Sequence, residues 1–568
     1  MSSNRWLSIA GLPLGKKENR NTGQRPYHLE VELDRGSCLI IVACSDSGKT
    51  DAGAVLAGLG VEVDSAIVRI AEQDLLGMPD LYRAEIVALI QRNPAHLMSC
   101  LATSVKRELQ VSLEFLGRRD FQGAVDSWLH RLDLTRLSEQ NPLLLSGGER
   151  IRAALAVVLV KKPQLLILDD VLAELDPHSS SLVRTALEQE RRQGLTIVEL
   201  HSRPPVTGVP PDAMWVFVTA SGIIQGKLCD CWPTVKSVAP DLLPPFPLLA
   251  ARLESDLGLN YEVAPEGAPE VAAPLDLKTG CHEQTISNQA TNEESVALAV
   301  RSLEFEYAGG SRFHLGPMDC FFPRASATAL LGRNGSGKTT LMACLGHLLK
   351  PMKGEISFSR GGPVARDPLH VWARTIVYSF QNPDDQIFLP TVRDEVLALA
   401  MMTGRAGRDA DVRLEKVCKI LELMPHLSDP PMDLPFPLRR LITVAGVFVA
   451  APDIVLLDEP SAGLDRHQIV SIIRIVRDYC CFGGTVVFVS HDPEFVAETA
   501  THALVLEDGQ VTLQGTFDEL APTLPLPMQS AAYVLAKELG LQRSICRYRD
   551  LLRSLYAKGS PSFQSGMG

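Results

Sequence analysis

The sequence predicts an α/β fold in which one domain is built twice in tandem. A chain of 568 residues is too long for one ordinary core, and its 46% apolar and 21% charged residues are typical of a globular protein with buried sheets. An apolar strand, a turn and a helix that begins at a Lys-Thr pair occur first at Lys49 and again at Lys338. The rest of each half follows the same order of elements.

Charge and cysteine usage limit the function classes. A net charge of -12 argues against a dedicated nucleic-acid binder, so no nucleic-acid partner is expected. The twelve cysteines contain no pair of CxxC groups at zinc spacing, which favours reduced thiols in a cytosolic protein. No signal-peptide pattern opens the sequence, and no run of about 18 apolar residues could span a bilayer. If the protein serves a membrane, we expect it to do so from outside the lipid.

The second copy contains a phosphate-binding loop. The stretch "ATALLGRNGSGKTTLMACLGHLL" (327–349) fits the pattern G-x-x-x-x-G-K-[ST] between a strand and a helix. Glycines let backbone N–H groups turn toward phosphates at the positive end of the helix, and the lysine adds a charge. The expected ATP-binding residues of this loop are Gly332, Asn334, Gly335, Ser336, Gly337, Lys338, Thr339 and Thr340.

Three further motifs follow each loop at matching distances. From Lys338 the chain runs 43, 120 and 153 residues to Gln381, Asp458 and His491, and from Lys49 it runs 42, 120 and 152 residues to Gln91, Asp169 and His201. These steps place two copies of one domain about 289 residues apart.

The segment "LSGGE", Leu145 to Glu149, completes the pattern. Together with the repeated loops, it resembles the signature of ATP-binding-cassette (ABC) nucleotide-binding domains, here fused in tandem. The resemblance covers nearly the whole chain apart from a linker and a tail. It implies two ABC-type P-loop domains, each with a RecA-like core sheet and a helical signature subdomain, in an ATPase that uses ATP and Mg²⁺.

The expected domains are residues 1–238 and 296–520, joined by a Pro- and Ala-rich linker over 239–295. The linker keeps the domains at high local concentration, so that they pair within one chain. Residues 521–568 are expected to form helices followed by a disordered end. These helices either pack on the second domain or form a separate binding module.

The resemblance assigns catalytic roles in the second copy to Glu459, His491 and Gln381. Asp458 and Glu459 end the apolar strand "IVLL", which delivers two carboxylates to the rim of a parallel sheet. Glu459 is then placed to polarise the attacking water, and His491 to contact the γ-phosphate. The expected Mg²⁺ ligands are Thr339, Gln381 and, through water, Asp458.

Two further elements complete the predicted ATP site. Tyr307 is either the aromatic residue that stacks on adenine or a structural tyrosine at the end of a strand. By family resemblance, the signature of one domain closes over ATP bound to the other. In the first copy Ser146, Gly147, Gly148 and Glu149 open a helix and can aim a hydroxyl and N–H groups at the γ-phosphate.

The two composite sites are predicted to be unequal. The second copy has "LPFPL" (434–438) in place of the signature, where two prolines remove N–H donors and Phe436 adds bulk. The first copy has Ala43 and Asp46 in place of two loop glycines, and Asp170 in place of the catalytic glutamate. Its site is expected to be slow or inactive, and whether it holds nucleotide stays open. The residues of this degenerate site are Ser47, Gly48, Lys49, Thr50, Gln91, Asp169, Asp170 and His201.

The segment "FQNPDDQIFLPTVRDEV" (380–396) indicates which machine the ATPase drives. It resembles the ATPases of energy-coupling factor (ECF) importers, the group that includes cobalt and vitamin uptake systems. The first copy is a looser version that keeps Asn93, Pro94 and Glu108. The resemblance implies a transmembrane coupling subunit, through it a substrate-binding membrane subunit, and a cytoplasmic location at the inner face of the membrane. The alternatives are an ordinary ABC importer, a soluble tandem ABC protein on ribosomes or DNA, and a regulatory nucleotide sensor.

Overall fold

The computed structural model divides the chain into two compact units, Met1–Glu270 and Val271–Gly568. The expected linker lies outside the described residues except at 239, 242 and 295, as do Asp46, Asn93, Pro94 and Ser146. The structure describes residues 5–14, 27–44, 47–59, 66–75, 77–91, 97–99, 102–118, 122–145, 147–205, 209–219, 221–239, 242, 295–307, 313–358, 369–524, 529–530, 532–533 and 547.

The first unit combines strands and helices in alternation. Its strands are β1 (Arg5–Leu14), β2 (Tyr27–Asp34), β3 (Cys38–Ala43), β4 (Ile67–Ile70), β5 (Gln73–Asp74), β6 (Val87–Ile90), β7 (Leu165–Asp169), β8 (Thr196–His201), β9 (Met214–Thr219) and β10 (Gly222–Lys227). Its α-helices are α1 (Lys49–Leu56), α2 (Asp80–Ile86), α3 (Val105–Glu114), α4 (Gln122–Arg131), α5 (Gly147–Leu159), α6 (Pro177–Arg192) and α7 (Leu228–Val238), with 3-10 turns at Thr135–Leu137, Pro142–Leu144 and Val171–Glu174.

The second unit repeats this alternation. Its strands are β11 (Val296–Glu306), β12 (His314–Pro323), β13 (Ala327–Leu331), β14 (Lys353–Phe358), β15 (Ile376–Ser379), β16 (Ile454–Asp458), β17 (Thr485–Val489), β18 (His502–Glu507) and β19 (Gln510–Thr516). Its α-helices are α8 (Lys338–Leu345), α9 (Leu369–Thr375), α10 (Val392–Met402), α11 (Arg408–Ile420), α12 (Phe436–Ala450), α13 (Arg466–Cys481), α14 (Pro493–Thr499) and α15 (Phe517–Leu520), with 3-10 turns at Pro383–Asp385, Met424–His426, Pro431–Asp433 and Ala521–Thr523.

Each unit has a six-stranded sheet of the same topology. The order is β10-β9-β3-β8-β7-β6 in the first unit and β19-β18-β13-β17-β16-β15 in the second. All neighbours are parallel except the edge pairs β9–β10 and β18–β19. The central strands are apolar and fully buried, as expected for parallel strands covered on both faces. Each unit also has an antiparallel sheet, in the order β2-β1-β4-β5 in the first unit and β12-β11-β14 in the second.

A group of helices in each unit packs together and shares an apolar core with strands of the six-stranded sheet. In the second unit α10, α11 and α12 pack through apolar side chains that include Val396, Leu414, Leu441 and Val444. In the first unit α3, α4 and α5 pack in the same way through Leu109, Trp128 and Leu155 among others. The structure therefore confirms the predicted α/β fold in two copies. Within the described parts of the chain, no helix combines the length and apolarity needed to cross a membrane.

The described part of the tail packs on the second unit. Ala521, Leu524 and Tyr533 are buried in the apolar core of that unit. Arg547 donates to the main-chain oxygens of Ala497 and Ala500 at the end of α14, at 2.9 and 2.7 Å. Of the two interpretations of the tail, these contacts favour packing on the second unit.

Candidate functional site

The phosphate loop of the second unit links β13 to α8. Gly332 has a φ of 145°, and a Cβ there would collide with the main-chain oxygen of Leu506, so only glycine fits. Gly337 has a φ of 102° and caps α8. The Lys338 ammonium donates to the main-chain oxygens of Gly332 and Arg333, at 2.8 and 2.9 Å. The loop therefore closes around its own lysine.

One buried hydroxyl in this loop indicates a ligand. Ser336 is 5% exposed, and its Oγ has no hydrogen-bond partner among the described residues. A buried hydroxyl without a partner is costly, so such a group is usually satisfied by a ligand or water. Backbone N–H groups, a lysine and this hydroxyl are the donors that bind phosphate oxygens. The loop therefore fits a bound phosphate group.

The carboxylates lie at the carboxyl end of β16, where the sequence predicts them. Glu459 has a left-handed φ of 49°, and its Oε2 accepts from the His491 backbone N–H at 3.2 Å. The His491 ring Nε2 lies 3.5 Å from Glu459 Oε1. Burial raises the pKa of Asp458 to about 6 and that of Glu459 to about 7, and Lys338 opposes both increases. A cation in this site would stabilise both carboxylates.

The remaining predicted residues lie on the neighbouring strands and loops. Gln381 follows β15 and is half-buried. Tyr307 follows β11 with 43% of its surface exposed, and its hydroxyl lies 3.0 Å from Thr340 Oγ1 on α8. Thr339, the expected Mg²⁺ ligand, is exposed at the start of the same helix. A partly exposed ring tied to the loop helix is compatible with both interpretations of Tyr307.

The loop of the first unit keeps the same frame with different contacts. Ala43 continues β3, which is therefore one residue longer than β13. Gly48, with a φ of 71°, caps α1 as Gly337 caps α8, and the buried Ser47 Oγ also has no partner among the described residues. Lys49, however, lies 3.4 Å from Asp170 Oδ2, and both side chains are less than a tenth exposed.

Asp170 is held in place from its other side. It has a left-handed φ of 53°, like Glu459. Its carboxylate accepts from the Ser202 backbone N–H at 2.7 Å and from the Ser202 hydroxyl. The first unit thus has an internal anion beside its loop lysine. Asp169 ends β7 and is buried, whereas Thr50 is exposed at the start of α1.

Two residues predicted for the degenerate site are one position out of register. In the sheets Val87 pairs with Leu165 and Ile376 with Ile454, so the copies are offset by a constant 289 residues. At that offset, Gln91 matches Phe380, and position 92, outside the described residues, matches Gln381. His201 likewise matches Ser490. Ser202 stands at the position of His491, because each donates its backbone N–H to the carboxylate at the end of the neighbouring strand.

His201 instead belongs to a buried charge cluster. Its Nε2 lies 2.8 Å from Glu199 Oε2, and Glu199 also pairs with Arg184. Although burial opposes it, Arg184 and His201 hold the pKa of Glu199 at about 2. His201 and Glu199 are buried in the first unit, and their mutual contact occupies the His201 Nε2. The unequal steps, 42 against 43 and 152 against 153, were the available sequence signal.

The two signature segments share a backbone but differ in donors. Helix α5 begins at Gly147 and α12 at Phe436, the same position in the repeat. Arg150 donates to Leu145 O at 3.0 Å, and Arg439 donates to Leu434 O at 2.8 Å. Gly148 and Glu149 lie in the first turn of α5. The first turn of α12 has Pro435 as its cap, without a side-chain hydrogen bond, and contains a further proline.

Two residues that contact Asp458, Tyr378 and Arg440, lie outside the predicted motifs. The Tyr378 hydroxyl donates to Asp458 Oδ2 at 2.8 Å. Arg440, 1% exposed, donates to Phe380 O at 3.2 Å and Asp458 O at 3.5 Å. The sequence signal for these contacts is a difference between the copies. Tyr378 and Arg440 are polar, whereas the matching residues of the first copy, Leu89 and Ile151, are apolar.

Comparison with known proteins agrees with the repeated architecture. The sequence model of the family described as "ABC transporter" matches residues 27–173 and 315–462. An ABC transporter ATP-binding protein of Caldanaerobacter subterraneus subsp. tengcongensis is 26% identical over 540 residues, covering 90% of this chain and 92% of that protein. One of Streptococcus mutans serotype c is 26% identical over 491 residues, covering 85% and 86%. A solved structure of cbiO1 from Clostridium perfringens, part of the ABC transporter complex cbiONQ, is 28% identical, with a TM-score of 0.35 and coverage of 40% of this chain and 91% of that one.

Proposed function

We propose, because this chain belongs to the ABC transporter family, that it is the ATP-hydrolysing subunit of an ECF-type importer with one competent and one degenerate composite ATP site. It is a tandem ABC ATPase that uses ATP and Mg²⁺. We place its domains at residues 1–238 and 296–520, with a linker over 239–295 and a tail over 521–568. We place the protein in the cytoplasm, at the inner face of the membrane.

The proposal that the two ATP sites are unequal depends on one observation. The loop lysines of the two units contact different groups. Lys338 donates to two weakly basic carbonyl oxygens of its own loop, which an anionic ligand can replace. Lys49 pairs with a buried carboxylate that Ser202 also holds. An ion pair between buried side chains is costly to break by removing one partner. Nucleotide is therefore expected to bind the second unit more tightly than the first.

In the second unit, we assign the residue roles from this geometry. Bound ATP with Mg²⁺ supplies the γ-phosphoryl group that is hydrolysed. Glu459, aligned by the His491 backbone N–H, accepts a hydrogen bond from the attacking water and polarises it. The His491 ring, next to the same carboxylate, contacts the γ-phosphate. Thr339 and Gln381 would ligate Mg²⁺ directly, and Asp458 would do so through a water.

By family resemblance, we place the signature of the first unit, Ser146 to Glu149, over ATP held by Lys338. The segment around Pro435 then faces the site of Lys49. This pairing combines the intact loop with the intact signature, which gives one competent site. All the altered residues then belong to the other composite site. They are Ala43, Asp170 and the two prolines.

The coupling segment, defined as the part of the 380–396 stretch that precedes α10 (residues 380–391), supports the importer assignment. Glu395 on α10 is buried, and its Oε2 accepts from the backbone N–H groups of Phe388 and Leu389 at 3.0 and 2.7 Å. Gln386 donates to Tyr378 O at 3.1 Å and accepts from Phe380 N–H at 3.0 Å. These bonds hold the segment in one shape while 68% of the Phe388 surface stays exposed. A fixed, exposed aromatic side chain suits contact with a helix of a membrane subunit.

The coupling segment is also tied to the ATP site. Asp384 pairs with Arg439 on α12 at 2.7 Å, and Arg440 on the same helix donates to Phe380 O and Asp458 O. A displacement of the segment would therefore reach Asp458 through one helix. This direct connection suits a subunit that passes the energy of hydrolysis to a partner.

The test is whether a membrane partner depends on Phe388. The tagged full chain, purified from detergent-solubilised membranes, is expected to retain a polytopic membrane protein. Phe388→Glu should lose that protein, whereas Phe482→Glu, which alters a phenylalanine that is 83% exposed at the end of α13, should keep it. ATP turnover of each detergent-purified chain alone should stay at the wild-type level, because neither side chain belongs to the ATP site.

The identity of the co-purified proteins separates the alternatives. One large coupling protein together with a small substrate-binding membrane protein supports the ECF type, whereas two related transmembrane subunits indicate an ordinary importer. Co-sedimentation with ribosomes, without a membrane protein, would contradict the transport proposal. Equal retention by both phenylalanine variants would refute the role of the coupling segment alone.

A further inference from the structure

The hydrogen bond between Tyr378 and Asp458 links two neighbouring strands at the metal-binding edge of the second unit. We infer that Tyr378 is a positioning residue that holds the Asp458 carboxylate in the orientation required for Mg²⁺. The inference rests on the proposed role of Asp458 as the metal partner. It adds a residue that the phosphate-loop, carboxylate and signature motifs do not contain.

The tyrosine is fixed at both ends. Its backbone lies in β15, where Tyr378 pairs with Leu456 of β16, and its carbonyl oxygen accepts from the Gln386 side chain. Its ring packs edge-on against Phe380, with centroids 4.9 Å apart and planes at 78°. Its hydroxyl therefore arrives at Asp458 Oδ2 from a defined direction, at 2.8 Å. Little rotational freedom is left to either group.

The environment strengthens this hydrogen bond. Asp458 is 3% exposed, and a hydrogen bond between a hydroxyl and a carboxylate is stronger in a buried site than in water. Donation to one carboxylate oxygen restrains rotation of the whole group. Partners that orient metal ligands in this way typically contribute roughly 10- to 100-fold to metal affinity or activity. Arg440 adds a second support from the main-chain side of Asp458.

The first unit has apolar side chains at both matching positions. Leu89 occupies the position of Tyr378 in β6, and Ile151 occupies that of Arg440 in α5. Neither side chain can donate a hydrogen bond, so Asp169 receives none from these two positions. The polar pair therefore occurs only in the unit whose other residues suit ATP hydrolysis. This coincidence is expected if Tyr378 serves the metal site and is unexplained if it serves only packing.

The test removes one hydroxyl at a time. Tyr378→Phe is compared with Tyr479→Phe, whose hydroxyl in the same unit bonds the main-chain oxygen of Pro452, away from the site. Both changes are made in a full chain that also has Glu459→Gln, so that ATP is not consumed. Equilibrium binding of a fluorescent ATP analogue is measured in EDTA and then during a titration with Mg²⁺. Thermal unfolding confirms that each variant is folded.

Tyr378→Phe is expected to raise the Mg²⁺ concentration for half-maximal enhancement of binding by roughly tenfold. Binding in EDTA should be unchanged, and Tyr479→Phe should match the parent in both conditions. Equal Mg²⁺ titrations for the two tyrosine variants would overturn the inference. So would a loss of binding in EDTA by Tyr378→Phe, since that result indicates a structural role.

Asp458→Asn separates this inference from the assignment on which it rests. If Asp458→Asn removes the Mg²⁺ effect and Tyr378→Phe does not change it, only the role of Tyr378 fails. If Asp458→Asn also leaves the Mg²⁺ effect intact, Asp458 is not the metal partner. The proposed metal site then fails together with the inference.

Discussion

The two phosphate loops of this chain end the same kind of strand and open the same kind of helix, but their lysines contact different groups. Lys338 donates to two carbonyl oxygens of its own loop, whereas Lys49 pairs with Asp170. Both loops keep a left-handed glycine before the lysine and a buried serine hydroxyl without a partner among the described residues. The backbone frame has thus been retained while the charges around it differ.

Under the proposed inequality of the two sites, the first unit is impaired by more than the loss of loop glycines. In the proposed mechanism, Asp170 in place of Glu459 has less reach toward the attacking water, and its carboxylate lies within ion-pair distance of Lys49. A phosphate that enters the first unit must compete with this carboxylate and is repelled by it. We therefore expect this one replacement to weaken both catalysis and nucleotide binding in the first unit. The following substitutions test this comparison, from the largest expected effect on ATP chemistry to the smallest.

The largest difference in ATP turnover is expected between variants of Glu459, which follows β16, and of Asp170, which follows β7. Glu459→Gln should lower steady-state ATP turnover by roughly 100-fold or more, because it removes the group that polarises water. Asp170→Asn should change turnover little, because its site contributes little hydrolysis. Phosphate release by the purified full chain measures both. Comparable losses from the two variants would refute a single competent site.

A smaller difference is expected between the two signatures. Ser146→Ala removes a hydroxyl that is assigned to the γ-phosphate, and turnover should fall roughly tenfold, the usual cost of a lost hydrogen bond to a charged group. Pro435→Ala changes the matching position of the second copy and should leave turnover almost unaltered. Binding of ATP without turnover should be altered less than the rate in both variants. A larger loss of turnover from Pro435→Ala than from Ser146→Ala would contradict the assignment of the first unit's signature to the competent site.

The smallest effect on ATP chemistry is expected from the charge cluster that contains His201. Glu199→Gln leaves the buried Arg184 without its carboxylate, which should lower the free energy of unfolding by about 3 kcal/mol, while turnover stays unchanged. Glu190→Gln removes the partner of the more exposed Arg131 and should cost less. Denaturant unfolding of the full chain measures both. A fall in turnover for Glu199→Gln in a folded chain would place the cluster in the ATP site after all.

The same cluster predicts a direction for acid sensitivity. The pKa of Glu199 is held at about 2, below its ordinary value of 4.5, so its ion pairs stabilise the folded state above about pH 4.5. That contribution is lost as the pH falls from 4.5 toward 2. Unfolding measured across this range should therefore be less pH-dependent in Glu199→Gln than in the parent chain.

Much of the fold could be predicted because its signals are local. Glycine spacing and apolar runs specify a strand, a loop and a helix within about 25 residues, and the duplication repeats that pattern. The register of distant strands is harder to predict, because it depends on pairing partners, and its trace in the sequence is the one-residue difference between the motif steps of the two copies. For this reason, Gln91 and His201 each lie one residue before the position that matches Gln381 or His491. Motif spacing located a glutamine and a histidine in the first copy, but it did not give their exact positions relative to the strands.

The contacts that distinguish the two sites join residues far apart in sequence. Helices α3, α4 and α5 lie between Lys49 and Asp170 in the sequence. Tyr378 in β15 contacts Asp458 at the end of the neighbouring strand β16. No local pattern indicates that these side chains meet. A polar residue in a copy where its counterpart is apolar is a useful signal, and Tyr378 opposite Leu89 illustrates it. An internal repeat therefore supplies its own comparison.

The number of ATP molecules bound per chain tests the central comparison most directly. Equilibrium dialysis of the Glu459→Gln chain with ATP and Mg²⁺ should give one tightly bound ATP. Adding Asp170→Asn frees Lys49 and should let a second ATP bind with roughly tenfold higher affinity than in the parent, a change of about 1.4 kcal/mol. Two equally tight ATP molecules in the chain that retains Asp170 would contradict the proposed inequality of the two sites.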